Sequence, residues 1–458
     1  MTTVETSRRR AAWLGALLML TGIFASGPFF WITTRLMVQA QFADVALATA
    51  ENWGSGANLL AALLLTTARR RGWMRWVPTT SMLVFLLVYA ALLTGAVFEL
   101  FDARAFLIFG SVSRIAFIPL TVLVAAEGFG NSGWAATAAS LMYLAESAAL
   151  QPVAAAVAAH APGVAYGMGA ATTALAVIGT LLVRRFGAAP GQGRTPEATR
   201  LVSRPLFGAL AGAYLLLQVG YFARDTFSVA ICTLMGVSGA GIGWWSSAST
   251  LGESGVALAF LAWPLAPAHW QDRLAPRARR LARWVVLGAF VTFASALAFT
   301  ALGAGRWPVS SLFGVRLAVE GPAAATVERV AEGYVYAVFG QLRDGQAPAL
   351  VFDAVGRLIP ILGRGLLYLG WSVQQAYLGT AVLSLGLLVA AYGCRRFLAH
   401  VFIDVLGGGF IPVQTDSPPS PTRGNSNYTA GRRHRLDRRA RRSGRCSPAN
   451  LARLQRDR

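Results

Sequence analysis

Residues 114–129 read Arg-Ile-Ala-Phe-Ile-Pro-Leu-Thr-Val-Leu-Val-Ala-Ala-Glu-Gly-Phe, and their key positions are written a second time. Arg114, Pro119, Thr121-Val122 and Ala126-Glu127-Gly128-Phe129 return as Arg316, Pro322, Thr326-Val327 and Ala331-Glu332-Gly333-Tyr334. Working outward, Gly22-Ile23-Phe24-Ala25 matches Gly220-Tyr221-Phe222-Ala223, and Trp53, Ser55 and Ala57 match Trp244, Ser246 and Ala248. Each pair is separated by roughly two hundred residues and falls at the corresponding place in a series of apolar segments. The spacing predicts a chain built from two parallel six-helix halves.

Composition agrees with helices in lipid. Of 458 residues 55% are hydrophobic and only 13% charged, unlike an ordinary soluble domain. Apolar stretches long enough for a hydrocarbon core of ~30 Å recur throughout. Twelve are read, at about 11–33, 45–68, 77–98, 105–127, 133–158, 162–183, 206–231, 239–263, 284–304, 309–332, 346–370 and 374–394. The first run is too long for a cleavable signal and is expected to remain as a helix. The expected units are an amino-terminal bundle (1–186), a linker rich in Gly, Pro and Thr (187–205), a carboxy-terminal bundle (206–394) and an Arg-rich, mostly disordered tail (395–458).

The net charge of +21 invites a nucleic-acid reading, which its distribution rejects. Residues 412–458 hold twelve Arg and three Asp. Most other basic residues lie in loops that share one side: residues 8–10, 69–71, 184–204, 273–283 and 395–396. The opposite loops carry only Arg35, Arg104 and Arg306. By the positive-inside rule both termini are expected in the cytoplasm. All 41 basic residues are Arg, and Ala and Gly are heavily used, which suggests a GC-rich bacterial genome and an inner-membrane location. Without Lys there is no phosphate-binding Gly-rich loop, so ATP is not expected as energy source. The four His (His160, His269, His400, His434) fall in loops or the tail, and the three Cys lack metal-ligand spacing, so neither a metal nor a cofactor is expected.

Charge placement separates the helices. Spans 3, 6, 9 and 12 carry no Asp, Glu, Arg or His between their ends, and spans 1 and 2 are expected to be charge-free as well. Spans 4, 5, 7, 8, 10 and 11 carry Arg114; Glu146; Arg224 and Asp225; Glu253; Arg316, Glu320, Glu328 and Arg329; and Asp353, Arg357 and Arg364. A charge facing lipid at mid-depth costs at least ~2.5–3.5 kcal/mol, so these side chains are expected to face protein or water.

On these grounds the chain resembles the major facilitator superfamily over about residues 11–394. The family's loop motif after span 2 survives as Arg69-Arg70-Arg71-Gly72, and its span-4 pattern keeps Arg114 but has Phe117 and Ile118 in place of Gln and Gly. Span 5 reads Ala-Glu-Ser-Ala-Ala-Leu-Gln-Pro at 145–152, without the glycine-proline signature of drug antiporters. The resemblance implies an all-α membrane protein of twelve transmembrane helices in two pseudo-symmetric bundles, with spans 3, 6, 9 and 12 outermost.

Several residues then become candidates. Glu146, Asp225 and Asp353 are candidates for proton coupling, since burial favours a neutral carboxyl and so permits reversible protonation near neutral pH. Glu146 has as its plainer reading a structural acid paired with Arg114. Adjacent on one helix, Arg224 and Asp225 point about 100° apart and are expected to seek separate partners, whereas Asp353 and Arg357 share a face. Arg114 and Arg316 are repeat-equivalent, and two guanidinium groups on one cavity would hold a carboxylate or phosphate. Arg224, Arg316, Arg357 and Arg114 are therefore substrate-binding candidates, with Glu253 and Glu320 in second rank. Arg69, Arg70, Arg71, Glu127 and Glu332 are gating candidates, the two acids having solvated helix ends as the bland alternative. No catalytic cluster assembles at either membrane face, so an enzyme is not expected. The expectation is a monomeric secondary transporter, moving a small organic anion or zwitterion with protons, outward in preference to inward. A sensor or scaffold acting through the tail is the rival.

Overall fold

In the computed structural model the described residues are 3–41, 44–71, 77–130, 132–187, 203–261, 276–339 and 346–406. The expected linker (apart from its ends), the expected tail beyond 406, and Trp73, Trp76, His269 and Cys446 lie outside them. Among the described residues no strand occurs.

The amino half contains α1 (Thr3–Gln41), α2 (Asp44–Arg70), α3 (Val77–Val97), α4 (Ala103–Ala116), α5 (Ile118–Phe129), α6 (Ser132–His160) and α7 (Pro162–Phe186). The carboxy half contains α8 (Arg204–Leu234), α9 (Ala240–Leu261), α10 (Pro276–Gly303), α11 (Val309–Val315), α12 (Gly321–Val327), α13 (Gly333–Phe339), α14 (Gln346–Leu358), α15 (Ile361–Tyr368) and α16 (Val373–Gly393). Local chemistry sets many boundaries. Proline sits in the first turn of α5, α7 and α8, where no amide donor is needed. Gly130, at φ 66°, ends α5 in the left-handed conformation. Ser372 and Gln375 form a reciprocal capping box at the start of α16.

Seven of the described helical stretches are long and apolar enough to cross a membrane. The other five expected spans (2, 5, 8, 10 and 11) are helical over their described residues too, and backbone irregularities occur in two of them and in span 4. Span 4 breaks at Phe117, between α4 and α5, and span 11 breaks before α15 at Ile359-Pro360. Span 10 is instead widened twice, into π turns at Arg316–Glu320 and Glu328–Glu332. The repeat is thus visible in the backbone: Arg114 stands just ahead of an irregular turn and Arg316 opens one, and a proline follows each.

Burial identifies the outer helices. The apolar cores of α3, α7, α10 and α16 are only 33, 39, 44 and 33% buried, against 72, 67 and 94% for α1, the α4–α5 stretch and α8. These four are spans 3, 6, 9 and 12, as the charge pattern predicts. Within the amino half α1 lies along α7 at close quarters, with Gly15 and Gly22 against Leu182, Thr172 and Ala176.

Each half has its own hydrophobic core. One is built from Met19, Leu20, Phe30, Met82, Tyr89, Phe117 and their neighbours, the other from Phe207, Phe227, Phe290, Phe293, Phe339, Phe352 and theirs. Leu350 and Ala354 of α14 join the amino-half core and Ala48 of α2 joins the other, so the halves interlock along α2 and α14. A second contact runs between α6 and α9, where Gly243 accommodates the backbone of Gln151 and Pro152.

The helical path does not stop at 394. A short α17 (Arg395–Ala399) and a π turn (His400–Val405) follow α16 and fold against the start of α8. Arg204 Nη1 meets Asp404 Oδ2 at 3.0 Å, and His400 Nδ1 lies 3.0 Å from the same oxygen. The carboxy-terminal bundle therefore extends to Val405, beyond the boundary expected from hydropathy.

Candidate functional site

The densest polar contact between the halves centres on Glu51, seven residues into α2 and only 4% exposed. Span 2 is therefore not free of inward charge, contrary to expectation. Its carboxylate draws in groups from three other helices. Arg35 Nη2 of α1 lies 3.3 Å from Oε1, and Arg364 Nε of α15 lies 3.7 Å from Oε2. Thr226 of α8 donates its hydroxyl to Oε2 as well. Around this hub Arg364 Nη1 donates to Asn52 Oδ1 at 2.6 Å, Arg35 Nη1 reaches Ser228 Oγ at 3.5 Å, and Thr49 Oγ1 meets Tyr368 OH at 2.6 Å. Nearly every one of these bonds joins one half to the other. Arg35 belongs to this cluster because α1 continues to Gln41 rather than ending as a loop near residue 33. All the contributing positions lie toward the helix ends remote from Thr3 and the α17 segment, so the latch closes the end of the bundle away from the described termini.

A second cluster lies within the carboxy half. Arg224 on α8 is 2% exposed, and its Nη1 lies 3.3 Å from Glu320 Oε1 and 3.5 Å from Glu253 Oε1. Two carboxylates thus converge on one nitrogen. Arg224 Nε also meets Asp225 Oδ1 at 3.4 Å, so these neighbours do pair, despite the angle between them on the helix. The long Arg224 side chain swings back toward the shorter one and stacks 4.5 Å over the Tyr221 ring. Glu320 Oε1 lies 3.5 Å from Arg316 Nη1 as well, one turn back along the same span. Arg316 is fully buried and rests 4.9 Å from the centre of the Trp245 ring. Of this set the Asp225 side chain is the most open, at 38% exposure.

Arg114 and Arg316 each stack on a tryptophan. The contacts described for each lie in its own half, where Arg114 stacks 5.2 Å from Trp31 as Arg316 does on Trp245. Repeat symmetry gives them similar settings. Glu146 is buried and comes to Gly27 together with Arg114: a Cβ on Gly27 would lie 2.5 Å from Arg114 Nη2 and 3.5 Å from Glu146 Oε1. Asp353 and Arg357 pair at 3.0 Å along α14, as their spacing predicts, with both side chains about one-quarter exposed. Among the gating candidates, Glu127 is buried rather than solvated, Glu332 is half-buried and Arg71 exposed, while the side chains of Arg69 and Arg70 lie outside the described residues. Trp244 is half-exposed, in contrast to its neighbour Trp245.

The two clusters differ in charge. The carboxy-half set sums to two arginines against two buried glutamates and the open Asp225, whereas the latch sets two arginines against one glutamate. The interior is therefore not a uniformly cationic funnel.

No protein-family model matches the chain, and no curated protein matches it. Solved structures do. The chain superimposes on the crystal structure of the nucleoside transporter NupG (D323A mutant) with a TM-score of 0.56 and 14% identity, over 84% of this chain and 99% of that one. A bacterial homologue of the human lysosomal transporter Spinster, inward-facing and unoccupied, gives 0.55 and 12% over 87% and 98%. A bacterial homologue of the iron transporter ferroportin, in an inward-facing state, gives 0.53 and 15% over 87% and 100%. At these identities the likeness is one of fold, and it extends over nearly the whole of each compared chain. The fold is that of the major facilitator superfamily.

Proposed function

We propose that the chain is a secondary active transporter that works by alternating access. The observation that carries this reading is the contrast between two apolar cores, which exchange only Ala48, Leu350 and Ala354 across their boundary among the buried residues, and the polar seam that joins the halves around Glu51. Bodies packed by their own cores move as units, and a hydrogen-bonded and ionic seam can be broken and remade at less cost than a shared apolar core. The latch closes the end away from the described termini. Nearer the termini α2 and α14 also touch, where Thr66 Oγ1 donates to Ala347 O at 3.5 Å, so the seam is joined at both ends.

The cargo we infer is a small organic anion or zwitterion. The carboxylates beside Arg224, Arg316 and Arg357 favour the zwitterion at the carboxy-half cluster, because these arginines already have anionic partners. Proton coupling is assigned to Glu146, beside Arg114, and to the open Asp225, with Asp353 as a third carboxylate. Efflux is the working direction, and import of the same cargo class is the alternative.

The test is flux into proteoliposomes, with a panel of organic anions and zwitterions and with or without an imposed pH gradient. Gradient-dependent flux of at least one compound is expected, and Glu146→Gln together with Asp225→Asn should uncouple it. Absence of flux across the panel, or undiminished proton dependence in the double variant, would overturn the assignment. Removing residues 412–458 should leave flux intact; loss of activity would favour the sensor or scaffold reading.

A further inference from the structure

We propose that Arg364 is the residue that recognises an anionic group on the cargo, and that Glu51 occupies it from within the protein when the bundle end is closed. This deepens the transport reading and rests on it for the identity of the ligand as cargo. The ligand class is a carboxylate, because the group that holds the arginine in the closed state is itself a carboxylate.

The argument starts from the partners of Arg364. The side chain is 1% exposed, on α15 of the carboxy half. Its Nε faces Glu51 Oε2 at 3.7 Å and its Nη1 donates to Asn52 Oδ1. Both partners belong to α2 of the amino half. When the halves part, Arg35 and Glu51 leave together as a matched pair, and Arg364 leaves alone. A bare guanidinium in a half-closed polar cleft needs an anion, and a carboxylate meets its planar fork well.

The closed state is already short of negative charge. Arg35 and Arg364 share the one Glu51 carboxylate, and Nε of each is buried without a hydrogen-bond partner. Burying a guanidinium with half a counter-ion is costly, and supplying a second carboxylate relieves the cost. Cargo and Glu51 therefore compete for Arg364. Cargo that wins the arginine cannot leave the latch closed, since the same contact holds the halves together. Ligand binding and opening become one equilibrium, which is what coupling a cargo to a conformational change requires.

Competition gives a signed expectation. In full-length protein in detergent micelles, binding of sodium lactate is followed by calorimetry, with inorganic phosphate and chloride as comparison anions. Glu51→Gln removes the internal competitor while keeping its shape, so lactate should bind about tenfold tighter or better. Arg364→Gln should abolish that gain, and Arg364→Lys should keep part of it, which separates lost recognition from a misfolded chain. Opening is read independently by the alkylation rate of Thr49→Cys, in a background with Cys394 and Cys446 replaced by Ser. The rate should rise in Glu51→Gln and, with Glu51 intact, on addition of lactate.

Lactate affinity unchanged by Glu51→Gln, or a gain that survives Arg364→Gln, would overturn the proposal. So would a gain for phosphate or chloride without one for lactate. If the binding and alkylation results hold while no flux is found in vesicles, the transport reading fails and the anion site stands.

Discussion

Glu320 is the carboxylate whose loss the structure ranks as most damaging. It is fully buried, and one oxygen serves both Arg224 at 3.3 Å and Arg316 at 3.5 Å. The two arginines are not equally exposed to its removal. Arg224 keeps Glu253 at 3.5 Å and Asp225 at 3.4 Å, whereas Arg316 has no other carboxylate within ion-pair distance among the described residues. In Glu320→Gln a fully buried guanidinium is left with only the Trp245 ring and an amide, at a cost of about 3–5 kcal/mol. Arg316→Met alone should cost no more than about 1.5 kcal/mol, because Glu320 still pairs with Arg224. The double variant removes both the orphaned charge and its partner, so most of the loss should be recovered, with a coupling energy of roughly 2 kcal/mol or more. The assay is SDS-driven unfolding in mixed micelles, followed by circular dichroism across the four proteins of the cycle. If the double variant loses the sum of the two single losses, Glu320 does not compensate Arg316 and the charge accounting of this cluster is wrong.

Other positions give sharper local tests. Gly22→Val should destabilise the amino half by about 1–3 kcal/mol, because even a Cβ there would stand 2.5 Å from Ala176 N and Thr172 O, which are backbone atoms of α7; thermal unfolding in micelles reads it, and a neutral result would mean α1 and α7 are less closely apposed. Asp353→Asn should cost under about 1 kcal/mol, as expected for a partly exposed pair, so a change in the pH profile of flux with stability intact would mark it as a coupling residue. Ser372→Ala should cost about 1 kcal/mol and speed amide exchange in the first turn of α16, since it removes the hydroxyl that accepts from Gln375 N while the Ser372 backbone N–H can still donate to Gln375 Oε1; unchanged exchange at Gln375 would contradict the cap.

Hydropathy and the internal repeat are enough to predict two halves and the four outer helices, because lipid contact is a property of whole helix faces and averages over many residues. The Glu51 latch was hidden for a more local reason. A single acid near the start of an otherwise apolar run is diluted in any average over twenty positions, and its partner Arg35 lies past the point where the apolar run of α1 ends. Helices do not stop at the edge of the hydrocarbon, so charges in their overhangs are easily assigned to loops. The signal was present as Glu51-Asn52 inside span 2, facing an arginine in the preceding overhang. The pairing of Arg224 with Asp225 shows a different limit: the angle between Cα–Cβ bonds does not bound the reach of a guanidinium on four rotatable bonds. For Arg114 and Arg316 sequence equivalence was a good guide to surroundings, since each lies beside a tryptophan, Trp31 and Trp245.

The two π turns of span 10 hold all five ionisable residues of that span, Arg316, Glu320, Glu328, Arg329 and Glu332. A π turn is what remains when one extra amino acid is accommodated in an α-helix without being looped out. Excising a single residue from 316–320 would restore ordinary winding and leave everything after it at nearly the same angle, because five residues of the wider turn sweep about the same rotation as four of an α-helix. Glu328 to Glu332 would keep their neighbours, whereas the pairing of Arg316 with Glu320 across the wider turn would be remade. Along this helix the ancestry of insertions, as much as of substitutions, decides which acids and bases meet.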